Sequence, residues 1–326
     1  MMRRIFWLAL IAAPLLGGCA QQKAPPPQAV VIGVRQDDHW RQIQRGVERG
    51  AEQARFPVDF YAPAQPDPKA QIAAIEDYLK RGIKGIAFAT TDTAALTPVI
   101  QKAQADGVAC ITLDTDAPAT GRVALVTAGD HAMGVTAGRA LVEALSAGGQ
   151  ARGQMVIVSA ATPEAQERLA GFNEVLSTES GITRLNTIEH QGSAESARGL
   201  ALNAIMQYPG LSILFAADAD SAVGCAGAVS QQGRKGQIKI VAIGETSQVM
   251  RLVGDGTIAV AVAPRLYQTG KQAVTLLWML IHKGRAQALR SLPANQVLEV
   301  GADLITAPDL TDRRDSFEEK GLPVDF

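Results

Sequence analysis

Short, continuous apolar runs alternate with amphipathic stretches along nearly the whole chain, and this alternation constrains the fold more than any single motif. The first half reads "AVVIGV" (29–34), then a helical face of Ile43, Val47, Ala51 and Ala54. "VDFY" (58–61) follows, then a face of Ile72, Ile75 and Leu79. "GIAFAT" (85–90), a helix around 94–106, "VACITLD" (108–114) and "VALVTA" (123–128) complete it. The pattern then restarts with a helix over 132–147, "QMVIVSA" (154–160), a helix over 164–177 and "ITRLNTI" (182–188). It runs on through a helix over 194–207, "SILFAAD" (212–218), a helix over 220–232, "IKIVAIG" (238–244), a helix over 247–253 and "IAVAVAP" (258–264). A strand apolar at every position is buried on both faces, and helical crossovers between such strands make them parallel. The fold class is therefore α/β, doubly wound.

Counted this way there are about eleven strands, more than an open sheet commonly holds, so two sheets are expected. The break falls near Ala128–Asp130. A late helix carries Val274, Leu277 and Leu280, and "NQVLEVGADLITA" (295–307) supplies one or two closing strands. The charged tail "TDRRDSFEEK" (311–320) is expected on the surface. A length of 326 residues suits two domains or one large one.

The amino terminus has a different character. Arg3 and Arg4 precede an apolar stretch from Ile5 to Leu16, and Gly17 and Gly18 stand before Cys19. That order is the charge, apolar core and small-residue exit of a secretory signal. The stretch is too short to cross about 30 Å of hydrocarbon as a helix. Cys19 could be a redox or metal ligand, half of a disulfide, or a processing site, and its flanks favour processing. "LGGC" (16–19) resembles a bacterial lipobox, which implies residues 1–18 as signal and Cys19 as the acylated first residue of the mature chain. The bland alternative is an ordinary signal with an incidental cysteine. Residues 19–28, with Pro25, Pro26 and Pro27, read as an extended tether. Ala20 follows the cysteine; in Gram-negative lipoproteins a residue other than Asp there usually permits transfer to the outer membrane.

A net charge of −1 argues against nucleic acid as a partner. Cys110 and Cys225 lie in apolar runs and read as core packing, with a bond between them as the minor alternative. Neither a dinucleotide glycine fingerprint nor a phosphate-binding loop is present, nor a nucleophile elbow or a zinc-protease helix. The four histidines are scattered, so neither cofactor nor metal is expected.

In parallel sheets the ligand lies beyond the carboxyl ends of the strands. There stand "RQDDHW" (35–40), "TTDT" (90–93), "DTDAP" (114–118), "SAATPEAQERLAGF" (159–172), "DADS" (218–221) and "GETS" (244–247). Carboxylates at such ends could in principle serve a hydrolase as acid and base.

Taken in order, "QRGVERGAEQA", "YLKRGIKGIAFATTDTAALTPVIQKAQADGVACITLD", "ATPEAQERLAGF", "YPGLSILFAADADSAVGCAGAV" and "IKIVAIGETSQVMRLVGDGTIAVAVAP" resemble the type I periplasmic binding proteins, ribose/galactose-binding group. The resemblance spans about Ala29 to Ile305. It implies two similar doubly wound lobes joined by a three-strand hinge. Lobe one would be about 29–128 plus 265–290, and lobe two about 129–264 plus 291–326. It places His39 and Trp40 where aromatic rings stack on sugars, with core packing as the alternative for Trp40. Asp114 matches the acid that binds sugar hydroxyls, and Arg168 the binding arginine, whose planar fork suits paired hydroxyls. Asp218 falls at a polar binding position, with Asp220 as a cap of the next helix. Asp37, Asp38, Asp92 and Glu245 complete the candidate ligand set.

Three departures stand out: Ala89 where an Asn is usual, Gly244-Glu245 where an Asp is usual, and Pro264 at the second hinge strand. The implied function is a membrane-anchored extracytoplasmic receptor, not an enzyme, that clamps a sugar, polyol or amine-bearing analogue for an ABC-type permease. The alternative is a lipoprotein that presents its ligand to a sensor kinase or chemoreceptor.

Overall fold

The computed structural model describes residues 26–146 and 150–326. Cys19, the signal and most of the tether lie outside the described residues. Among the described residues no helix is long and apolar enough to cross a membrane.

The first half alternates β1 (Ala29–Ile32), α1 (Asp38–Ala54), β2 (Val58–Tyr61), α2 (Pro68–Lys80), β3 (Gly85–Phe88), α3 (Thr93–Ala105), β4 (Ala109–Leu113) and β5 (Leu125–Thr127). The second continues α4 (Asp130–Ser146), β6 (Gly153–Ala160), α5 (Pro163–Leu176), β7 (Ile182–His190), α6 (Ala194–Gln207), β8 (Leu211–Ala216), α7 (Ala219–Gln231), β9 (Lys239–Ile243), α8 (Ser247–Gly254) and β10 (Val260–Pro264). The chain closes with α9 (Leu266–His282), α10 (Arg285–Leu289), β11 (Val297–Glu299), β12 (Ala302–Ile305) and α11 (Leu310–Glu319). Ala29 to Ile32 are wholly buried, as a two-faced strand requires.

Two six-stranded sheets result, ordered β11-β5-β4-β3-β1-β2 and β12-β10-β9-β8-β6-β7. All pairs are parallel except β10 with β12. In each sheet the strand order reverses beside the first strand, between β1 and β3 and between β6 and β8. A crevice opens at such a switch point.

One expected boundary is corrected. β11 pairs with β5 (Val297 with Leu125), so it extends the first sheet and does not belong to lobe two. Gly301, at φ 81°, separates it from β12, which joins the second sheet antiparallel to β10. The lobes are thus joined by three crossings, after β5, after β10 and between β11 and β12. Val300 N–H donates to the Thr127 carbonyl (2.9 Å) and Arg265 N–H to the Gly301 carbonyl (3.1 Å), which binds the crossings into one hinge. Gly129 (φ 87°) and Gly301 supply left-handed turns that other residues adopt only with strain.

Each lobe packs its crossing helix on its first helix through glycine. A Cβ on Gly46 would lie 1.9 Å from the Tyr267 carbonyl oxygen, and one on Gly270 would lie 2.1 Å from that of Ile43. In lobe two Gly134 and Gly171 face the carbonyl oxygens of Arg168 (1.9 Å) and His131 (2.0 Å) in the same way. These contacts fix α1 against α9 and α5 against α4. Cys110 and Cys225 are both free and buried.

The tail departs from expectation as well. It forms α11, which buries Leu310 and Phe317 and brings Arg313 inward.

Candidate functional site

In lobe one, Asp37 ends the β1–α1 loop as the cap of α1, accepting from Trp40 N–H (2.9 Å) and pairing with Arg35. In the first turn of the helix, His39 Nε2 stands 3.0 Å from Asp114 Oδ2. Asp114 follows β4 at φ 66°, with its own N–H on the Val126 carbonyl (2.8 Å). Burial works against charge on His39, but Asp114 and Asp37 outweigh burial and Arg168 together, so its pKa is raised above 6.5. Burial likewise opposes ionisation of Asp114, and His39 and Arg168 outweigh it, so its pKa is lowered.

In lobe two, Arg168 projects from α5. Its Nε donates to Asp130 at the start of α4 (2.7 Å), and a second nitrogen donates to the Ala217 carbonyl (3.2 Å). Burial raises the Asp130 pKa; Arg168 opposes this, while Asp114 and Glu164 add to it. The two strand-end faces are close enough for charge to act between them. Arg168 acts on Asp114 and His39, and Arg35 acts on Asp220. His39 and Asp114 on one side, with Arg168 and Asp130 on the other, present alternating donors and acceptors. A ligand hydroxyl between them can donate to Asp114 and accept from Arg168.

Other expected residues stand elsewhere. Trp40 is 5% exposed and belongs to the lobe-one core, where its ring fills the space a Gly33 side chain would need. The rotation of α1 that turns Ile43 and Val47 inward takes Trp40 with them. Asp38 is exposed and paired with Arg41 (2.8 Å) on the outer side of α1. Asp92 is spent capping α3, accepting from Ala95 N–H (2.9 Å).

Asp218 caps α7, and its carboxylate is saturated by Ser221 N–H (2.8 Å), Ser221 Oγ (2.7 Å), Ala160 N–H (2.9 Å) and His190 Nε2 (3.2 Å). His190 Nδ1 accepts from Gly192 N–H (3.1 Å), which leaves the donor proton on Nε2. Glu245 is also removed from the ligand face. It is buried against Arg313 of α11, and one carboxylate oxygen has no partner. Burial lifts its pKa to about 7, with Arg313 offsetting only part.

One residue escapes the sequence reading, and the cap of α7 is reassigned. Asp130 supplies Arg168's partner from 38 positions away. Asp218, not Asp220, caps α7; Asp220 is largely exposed, and partial burial of its carboxyl and the nearby Asp218 charge raise its pKa against His190 and Arg35. No group of three or more His, Cys, Asp or Glu among the described residues could hold a metal ion.

Two hinged α/β lobes with switch-point crevices turned toward each other define a type I periplasmic binding protein of the ribose/galactose group. Residues 29–286 match the periplasmic binding protein domain family, and the chain belongs to that family. It is similar to the D-allose-binding periplasmic protein of Escherichia coli (strain K12), at 24% identity over 281 residues, covering 83% of this chain and 89% of that protein. It is also similar to the D-ribose/D-allose-binding protein of Pseudomonas aeruginosa, at 26% identity over 250 residues, covering 75% and 76%. The solved structure of AraP, an arabinose-binding protein from Geobacillus stearothermophilus, superposes with a TM-score of 0.80 at 24% identity, covering 88% of this chain and 99% of AraP.

Proposed function

We propose that this protein is an extracytoplasmic solute receptor, not an enzyme, that closes its lobes on a small polyhydroxylated ligand and delivers it to an ABC-type importer. What supports this reading is a polar pair at the strand-end face of each lobe, His39 with Asp114 (3.0 Å) in lobe one and Arg168 with Asp130 (2.7 Å) in lobe two. The ligand class is a neutral sugar or polyol. Relatives named for allose and ribose support it, and so does a cleft whose charges are paired into donor–acceptor sets. Residues 1–18 act as a signal, and acylated Cys19 holds the receptor to a membrane through the proline-rich tether. Stable attachment takes more than one acyl chain.

A thermal-shift panel of pentoses, hexoses and polyols tests the ligand class. A binder at 100 times its dissociation constant stabilises by about 2.7 kcal/mol. No shift with any member would remove sugars. Cell fractionation tests the anchor: wild type should partition with membranes and Cys19→Ser should not.

A further inference from the structure

The C-terminal segment reaches both lobes. It starts on lobe two, where Leu310 joins the core and fills the space beside Gly254. One turn on, Arg313 enters the hinge, donating to the Glu245 carboxylate and to Asp303 Oδ2 (3.1 Å). Asp303 takes Arg265 on its other oxygen (2.7 Å), and Arg265 opens α9 in lobe one just past the second crossing.

The turn after α11 touches lobe one directly, before the chain ends back on lobe two, where Arg251 donates to the Asp325 carbonyl and Phe326 packs on the core. Lys320 Nζ stands 5.4 Å from the centre of the Tyr267 ring in the first turn of α9. Phe317, Leu322 and Pro323 line a crevice of about 20 Å³ together with Asp38, Arg41 and Gln42 of α1 and with Glu245 and Ser247. Gln42 Nε2 donates across the same junction to the Glu245 carbonyl (3.4 Å).

We propose that residues 306–326 form a strap across the hinge, whose contacts with α1 and α9 hold the lobes at the angle seen here. Arg313, Asp303 and Arg265 lie at the crossings, so rotation of the lobes moves them little. Lys320 and Leu322 lie in the turn after α11, against α9 and α1 of the other lobe, so the same rotation parts them first. The strap therefore biases the angle between the lobes, and with it the affinity for whatever the cleft binds.

Lys320→Ala and Tyr267→Ala each remove one side of the contact with α9 and leave Arg313, Glu245 and Asp303 in place. Small-angle scattering of the unliganded full chain should show a larger radius of gyration in each. The double variant should match the singles, because they share one contact. Tyr267→Phe keeps the ring and should match wild type. Unchanged scattering in the Ala variants overturns the proposal, and so does an additive double variant or a shift in Tyr267→Phe. With a sugar from the panel, affinity should fall about twofold to tenfold, the range of a partly desolvated cation–π contact. That readout rests on the proposed function and the scattering does not. A scattering change in a protein that binds no sugar would sink the ligand class and leave the strap standing.

Discussion

Asp114 occupies the left-handed region (φ 66°), where a residue other than glycine is uncommon and asparagine and aspartate are best tolerated. The turn aims its carboxylate at the cleft, while His39 holds one of its oxygens. Asp114→Asn keeps the backbone preference and removes the charge, so it should weaken ligand binding at least about tenfold without loss of fold. Hydrogen bonds to charged groups contribute about 1.5–3 kcal/mol. Arg168→Ala should weaken binding comparably and also lower the melting temperature, because it leaves the partly buried Asp130 unpaired. Calorimetry beside a melting curve separates the two effects; full affinity in both variants would remove the pair from the site.

His39 and Glu245 give a pH signature. The His39 pKa is raised, so its contribution to stability is full below 6.5 and is lost as pH rises through the folded value. Glu245 moves from 4.5 to about 7, so it too favours the fold most at low pH and loses that contribution up to about 7. The groups facing His39 are Asp114, Asp37 and Arg168, and those facing Glu245 are Arg313, Lys320 and Asp303. Melting temperature should fall from about pH 5 to pH 8. Glu245→Gln should flatten the lower part of that slope and His39→Gln the upper; an unchanged slope in both would assign it elsewhere.

That His39 and Asp114 meet at the strand-end face of lobe one was legible, because strand ends are legible. The choice between Asp218 and Asp220 was not, since either aspartate could cap α7 and only backbone geometry decides. Glu245 was misplaced because its partner Arg313 sits 68 positions later in a stretch that reads as solvated.

At the level of elements, an alternation of two-faced strands and one-faced helices located every helix up to α9, and α3 to α8 to within two residues of their ends. It found the closing run of β11 and β12 but not its division, since one apolar run serves both sheets and a glycine divides it. It failed at α11, whose buried face is built around an arginine. The glycine contacts between helices follow the same logic as cores do, since backbone cannot yield as a side chain can. Gly134→Ala would set a methyl 1.9 Å from the Arg168 carbonyl oxygen and push α5 off α4. Overpacking of this kind costs about 1–3 kcal/mol. The same displacement moves the Arg168 side chain, so affinity should fall together with the melting temperature. A variant that melts early yet binds at full strength would show that Arg168 is not positioned by this contact.

For the whole molecule, the three crossings divide the chain unequally. Lobe two is drawn almost entirely from the continuous stretch between the first and second crossings. Lobe one is gathered from both ends, because β1 to β5 come first and α9 and β11 arrive only after lobe two has passed. Until α9 lands, the backs of β3 and β4 and the glycine face of α1 have no cover, since Ala273, Val274 and Leu277 supply it. Order in space thereby becomes order in time. During refolding, amides of β8 and β9 should gain protection from hydrogen exchange before those of β1 and β4, as pulse labelling would record. Simultaneous protection would mean that lobe one settles without its last helix. The part of lobe one that is synthesised first is then the part that waits longest for its cover.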